Sequence, residues 1–390
     1  MRFLLAGMLI LSAASLRAGV PAALQMMADD AQQSLVRLDK SVASAAEDAA
    51  PFVSSSNDRM LRAILQRVVR SNPMAVDAAL VSPVGRMRLI EPTAFKKFEG
   101  SDISTQAAWK TLAQSGRPVL SQAFRMAEGF YAVSLAHPVT TNGVRTGAVS
   151  VAFNPSSWIE GTRRGPLSDL PFRFFAVQKD GLILAGSDPG FVGASLLKET
   201  SGAPAAMQAL ARRILSEPSG DGIYTRPTAD DEMRTRVSWT TVGLRGSEFR
   251  LALTSDFAGA VPRGSVNPDT IARALDRFAD SPSLVKALRG KTGEAEDAML
   301  AFLQQTRGVY TVQLLDVRGK VICGQPVQAV PSGMHTGAIA RPGADDLAAA
   351  LTGKAPSRFE GPLLEGGNGL FLVQPLPRGI GSLLAIVRYE

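Results

Sequence analysis

Cysteine is nearly absent from this 390-residue chain: Cys323 is the only one. One thiol forms no internal disulfide, and it supplies a single ligand where a structural zinc takes about four, so both kinds of staple are excluded. Its neighbours Val321 and Ile322 read as strand, which predicts a buried, inert thiol. Histidine is almost as scarce. His137 and His335 lie far apart with no metal-ligand spacing around either, so a histidine-based metal site is excluded and both are expected to be structural. No G-x-S-x-G elbow supports a nucleophilic triad. Aromatic residues are 6% of the chain and no dense basic run is interleaved with them, which argues against nucleic acid as a partner. Beyond the N-terminus, no apolar run approaches the roughly 20 residues of a membrane-spanning helix.

Apparent catalytic motifs dissolve on inspection. Gly290-Lys291-Thr292 imitates the end of a phosphate-binding loop, but Val285 stands where the first glycine belongs and a helix precedes it. Gly366-Gly367-Asn368-Gly369 is a loop between strands, not a dinucleotide fingerprint. The acidic groups Asp230-Asp231-Glu232 and Glu294, Glu296, Asp297 read as solvated loop and helix-start charge. No metal, cofactor or catalytic residue is therefore expected, and the chain reads as a non-enzyme; an exported hydrolase of unrecognised type is an alternative. The net charge of +7, from 42 Lys+Arg against 35 Asp+Glu, reads as arginine scattered over solvated faces.

The length exceeds what one core usually holds and points to two or three domains. Residues 1–18 have the layout of a secretory signal peptide: Arg2, an apolar run from Phe3 to Leu11, and Leu16-Arg17-Ala18 as the cleavage region. A periplasmic or secreted protein is expected; an uncleaved N-terminal membrane anchor is the alternative. Leu24, Ala28, Ala31, Leu35, Leu38, Val42, Ala45 and Ala49 then form one stripe on a long helix that should end before Pro51. Four of these eight positions are alanine, a weak set of knobs, so packing on the chain's own sheets is favoured over a homodimer. A second helix, Asp58 to Arg70, turns Met60, Leu61, Ile64, Leu65 and Val68 to one side and stops at Pro73.

Three similar units follow. Strands Ala75–Ser82 and Met87–Ile90 flank Gly85; a helix over Ser104–Ser115, capped by Ser104 or Thr105, carries Trp109; strands Val119–Phe124, Phe130–His137 and Gly147–Phe153 complete the first unit. Thr141-Asn142-Gly143 is its hairpin turn. The second unit runs Phe174–Val177, Asp180-Gly181, Leu182–Ala185, a helix over Pro204–Leu215, and strands near Gly222–Tyr224, Arg234–Thr241 and Phe249–Ser255. The third adds leading helices over Asp269–Phe278, Ser283–Leu288 and Glu294–Thr306, then repeats the pattern around Gly319. The intervals are domain-sized rather than those of a solenoid.

The hairpin Asp180-Gly181 followed by Asp188-Pro189 and Gly193 resembles the strand–DG–strand–DP-x-x-x-G element of the Cache (PDC-type, PAS-like) extracytoplasmic sensors. The resemblance implies an α+β fold of tandem PAS-like modules, antiparallel sheets with covering helices and a long N-terminal helix. After the signal segment at 1–18 and the helices at 19–72, it implies a distal module at 73–160, a second at 161–262 and a third Cache or PAS-like domain at 263–390. It further implies a soluble exported sensor-type protein holding a small organic ligand in the distal module and serving a membrane sensor or other signalling protein. A free-standing binding protein is expected because the chain stops at a strand. The alternative is an interaction scaffold that docks a membrane partner through the long helix. The matching segment, Phe98 to His137, offers Trp109, Ser121, Arg125 and Tyr131 as ligand-binding residues. Amino-acid-binding members carry R-x-W-Y on the covering helix and an Asp on the last strand. Here Trp109 is kept, but Ala107 and Lys110 stand where that pattern has Arg and Tyr, and Gly147–Phe153 has no Asp. A simple carboxylate, held by Arg125 between aromatic walls, is accordingly expected over an amino acid.

Overall fold

The structure, a computed structural model, describes residues 20–55, 57–126, 129–163, 167, 172–227, 232–256, 260–326, 330, 344–352 and 355–389. The leader over 1–18, the acidic pair Asp230-Asp231 and His335 lie outside the described residues.

Helix α1 (Ala22–Val53) is followed by α2 (Asp58–Ser71), whose N-terminus is capped by the side chain of Asn57 accepting from the Met60 amide. α1 runs through Pro51 instead of ending before it. In the last turn of a 32-residue helix the proline deletes one intrahelical bond and the ring meets solvent, so the helix survives. In α2, Leu61, Ile64, Leu65 and Val68 are buried while Met60 is 42% exposed, which narrows the expected apolar face.

The first sheet contains β1 (Ala75–Val81), β2 (Met87–Glu91), β3 (Val119–Leu120), β4 (Phe124–Arg125), β5 (Tyr131–Thr141) and β6 (Val144–Phe153); α3 (Ala107–Ser115) sits between β2 and β3, and α4 (Pro155–Glu160) follows β6. The second holds β7 (Arg173–Gln178), β8 (Ile183–Gly186), β9 (Gly220–Pro227), β10 (Glu232–Leu244) and β11 (Ser247–Asp256), with α5 (Leu196–Glu199) and α6 (Ala205–Ser216) between β8 and β9. Three helices, α7 (Pro268–Ala279), α8 (Pro282–Ala287) and α9 (Gly293–Gln305), lead into the third. It is built of β12 (Thr311–Leu315), β13 (Val321–Gln325), β14 (Ser357–Pro362), β15 (Asn368–Pro375) and β16 (Ser382–Arg388), with α10 (Ala344–Thr352) before β14.

The three strand orders are β2-β1-β6-β5-β3, β8-β7-β11-β10-β9 and β13-β12-β16-β15-β14. With the two-residue β4, which pairs with β5 off this path, left out of the numbering, the three are one order, and the α+β architecture of repeated antiparallel sheets is as expected. The hairpin glycines Gly85, Gly181 and Gly319 all take positive φ, 83°, 94° and 77°, as a turn matched to the strand twist requires.

Two local expectations fail. Val119–Phe124 is two short strands, with Ser121 between them. α3 begins at Ala107 rather than Ser104, and its N-cap is Gln106, which makes no side-chain cap. The Ser104 amide is already taken by the carboxylate of Asp102 at 2.8 Å, an Asx turn that competes with an earlier helix start.

Alternation along the strands decides where α1 goes. One face of the first sheet carries Leu80, Leu135, Val149, Val151 and Phe153, and the corresponding face of the second carries Phe174, Phe249, Leu251 and Leu253. Both close on α1, whose eight stripe residues are each no more than 5% exposed. The stripe is thus spent inside the chain, as its alanine content predicts. Polar ties set the register: the Gln32 side chain bonds both the amide and the carbonyl of Gly243, and the Trp158 indole N–H donates to the Ala31 carbonyl at 3.1 Å. Trp158 also meets Phe153 and Phe249 edge-on, so one side chain of α4 joins both sheets to α1.

Candidate functional site

The opposite face of the first sheet is built differently. Asp77, Ala79 and Val81 of β1, Ser134 and Ala136 of β5, and Ala148, Ser150 and Ala152 of β6 point away from α1, toward α3 and the segment before it. Small side chains on three adjacent strands leave a gap that their large neighbours on the other face do not. The gap is roofed by Ile103, Gln106, Ala108 and Trp109, with Met87, Phe124 and Met126 at its sides. It encloses about 70 Å³, room for some five waters at ~10–15 Å³ each. Trp109 is 7% exposed, and the Arg145 guanidinium stands 5.2 Å from its ring centroid on the outer side. None of the lining residues is cationic.

A second, wider cleft of about 420 Å³ lies where the first sheet meets the second. Arg125, Phe130 and Tyr131 form one wall, Leu184, Val192 and Gly193 the other, and Asn154 and Ser156 its floor.

The four sequence candidates are divided between these places. Trp109 lines the cavity under α3. Arg125 and Tyr131 are directly opposed across the β4–β5 pairing and line the cleft. Ser121 lines neither. It is 5% exposed, its hydroxyl accepts from the Ser134 amide at 2.8 Å and its own amide donates to the Ser134 carbonyl at 2.8 Å, so it bridges the break between β3 and β4. The arrangement of Arg125 with Trp109 in one pocket is therefore not present. Nor does the α3 cavity lack a carboxylate. Its last strand has none, but β1 pairs beside β6 with Asp77 opposite Ala152, which brings the Asp77 carboxyl to the cavity. Asp77, Gln106, Ser134 and Ser150 were missed. The signal for one of them, Ser150, is in the sequence: Ala148-Val149-Ser150-Val151-Ala152-Phe153 alternates small with large, and the small set marks the face that leaves space.

The histidine expected to be structural is so. His137 is 6% exposed, inside β5, and its Nε2 lies 2.8 Å from Asp39 Oδ1 of α1. Arg245, at the β10–β11 turn, donates to the same carboxylate at 2.6 and 3.1 Å. Burial pushes the Asp39 carboxyl up, but hydrogen bonds from Arg245 and His137 outweigh it and hold the group below its ordinary value. Cys323 is 2% exposed on β13, where burial and the charge of Glu296 push its thiol up to about 11. Among the described residues, no three His, Cys, Asp or Glu side chains stand together as a metal set, and no helix is long and apolar enough to cross a membrane.

Residues 33–155 match the family described as HK/GC/chemotaxis protein-like, sensor domain. This segment contains every residue that lines the α3 cavity. Among solved structures, an extracellular ligand-binding receptor from Desulfohalobium retbaense is 28% identical, with a TM-score of 0.50, over 60% of this chain and 39% of that one. The chain thus spans well under half of that receptor's length. The ligand-binding domain of the Pseudomonas fluorescens chemoreceptor CtaA, in complex with L-alanine, is 21% identical over 60% of this chain and 93% of its own, with a TM-score of 0.43. That of the Pseudomonas aeruginosa amino acid chemoreceptor PctB, in complex with L-Arg, is 17% identical over 63% and 96%, with a TM-score of 0.46. No curated protein matches the chain.

Proposed function

We propose that this chain, which carries a Cache-type sensor domain over residues 33–155, binds a small organic molecule in the cavity under α3 and passes its occupancy to another protein. The observation that carries this reading is the small-residue sheet face roofed by Trp109, which leaves a cavity between α3 and the sheet. Asp77 at the cavity, with Gln106, Ser134 and Ser150, suits a ligand with hydrogen-bond donors, a hydroxyl or amino group on a short apolar body. No cationic side chain lines this cavity, so the carboxylate preference read from the sequence is not assigned to it. The reading is a binding one, with extracytoplasmic placement and modules at 73–160, 161–262 and 263–390. α1, held to both of the first two sheets, is the element through which a change in the first would reach a signalling partner.

The test is a thermal-shift screen of the whole chain against amino acids, amines, small alcohols, carboxylates and purines. A ligand specific for the native state, at a hundred times its Kd, adds about 2.7 kcal/mol. One donor-bearing class should raise Tm by several degrees, and Ala136→Leu, which fills the cavity, should abolish that shift. No shift from any class, or a shift that survives Ala136→Leu, would overturn the assignment to this cavity.

A further inference from the structure

We propose that the cleft between the first two sheets is a second, separate ligand site, and that it takes a small carboxylate on a planar or apolar body. The argument starts from β4. Successive residues of a strand point to opposite sides. Phe124 and Met126 line the α3 cavity, while Arg125 between them lines the cleft. Its cross-strand partner Tyr131 shares that side, so the guanidinium and the phenol are presented together.

The facing wall comes from the second sheet, and its glycine explains the closeness of approach. Gly193 has φ +90°, and a Cβ there would lie 2.6 Å from Cε2 of Tyr131. Only glycine lets the loop after Asp188-Pro189 lie against the Tyr131 ring. The loop is pinned by the Gly193 amide donating to the Ile183 carbonyl at 2.8 Å and by Asp188 accepting from the Gly190 amide at 2.9 Å. On the floor, Asn154 Oδ1 is engaged by the amides of Ser156 and Ser157 at 2.8 and 3.2 Å, which leaves the Asn154 amide N–H groups as donors. The Ser156 hydroxyl donates to the Leu184 carbonyl at 3.1 Å.

The chemistry of the lining selects the ligand. No carboxylate lines the cleft. Arg125 is exposed, and among the described residues no hydrogen bond or ion pair engages its guanidinium. A planar fork beside a phenol and an amide suits a carboxylate, which accepts two parallel N–H bonds. Phe130, Tyr131 and Val192 suit an apolar or aromatic body, and about 420 Å³ falls in the range of ordinary small-molecule sites, roughly 300–1,000 Å³. An occupant would touch both sheets.

The probes are benzoate, phenylacetate and succinate, with benzamide as the neutral control, titrated calorimetrically into the whole chain. At least one carboxylate should bind and benzamide should not. Arg125→Ala removes an exposed side chain, so the fold is retained, and it should weaken binding by about tenfold or more, the size of a lost charge-assisted pair; Arg125→Lys should restore part of it. Ala136→Leu should leave carboxylate binding unchanged, which separates this site from the one under α3. Binding by none of the three carboxylates, equal binding to Arg125→Ala, or loss on Ala136→Leu would each overturn the proposal.

Discussion

The first and second sheets share strand order, hairpin turns and a common backing helix, yet differ on the face away from α1. In the first, seven of the eight sheet residues facing α3 are Ala, Ser or the short Asp77, and a gap remains. In the second, Trp239 fills the equivalent place. It is fully buried, its indole N–H donates to the Glu217 carbonyl at 3.1 Å, and Leu210, Ala211 and Ile214 of α6 close over it with Val177, Ile183 and Val237. A Cβ on Gly220 would stand 2.5 Å from that indole. The same backbone thus makes an open cavity or a solid core, depending on side-chain volume at a few alternate positions.

The largest expected break of this contrast is Trp239→Ala. It should convert the second sheet into an open one at a cost of about 3–5 kcal/mol, read from urea unfolding. Next is the tie that holds the two sheets to one helix. Asp39→Asn removes the charge that both Arg245 and His137 engage and should cost about 1.5–3 kcal/mol near neutral pH. Asp39 is depressed in the folded state, so its contribution is present above its unfolded value near 3.8 and is lost as pH falls through the lower folded value. An acid-unfolding series should therefore show wild type and Asp39→Asn converging below that range; a constant gap would exclude the carboxylate as the source. Gly220→Ala should cost about 1–3 kcal/mol through overpacking against Trp239, measured by the same unfolding. The smallest stability effect is expected for Ala136→Leu. Its added volume enters space that is already open, so the change should stay under about 1 kcal/mol while ligand response disappears. If Ala136→Leu instead destabilises as much as Gly220→Ala, the two faces are not different in the way described.

Most of the fold was legible because strand alternation, hairpin glycines and the α1 stripe are local patterns with one physical reading each. The site was legible only in part. Trp109 could be placed on a covering helix, and the small residues of β6 were visible as an alternation. Arg125 was misplaced relative to Trp109 because a single-residue step along β4 separates one cavity from the other, and a break at Ser121 changes which way that strand faces. Asp77 was invisible as a cavity residue. It lies far along the chain from Ala152 and reaches it only through the pairing of β1 with β6.

Local chemistry by itself determined the elements, their repeat and the burial of α1, since helix and strand periods, turn glycines and alanine content act over a few residues. Tertiary structure alone decided that β1 brings a carboxylate beside the last strand. It also decided that β4 divides two cavities and that Asp39 holds His137 and Arg245 at once. Those are consequences of which strand lies next to which, and strand order is settled by packing whole faces together rather than by any segment's own preference.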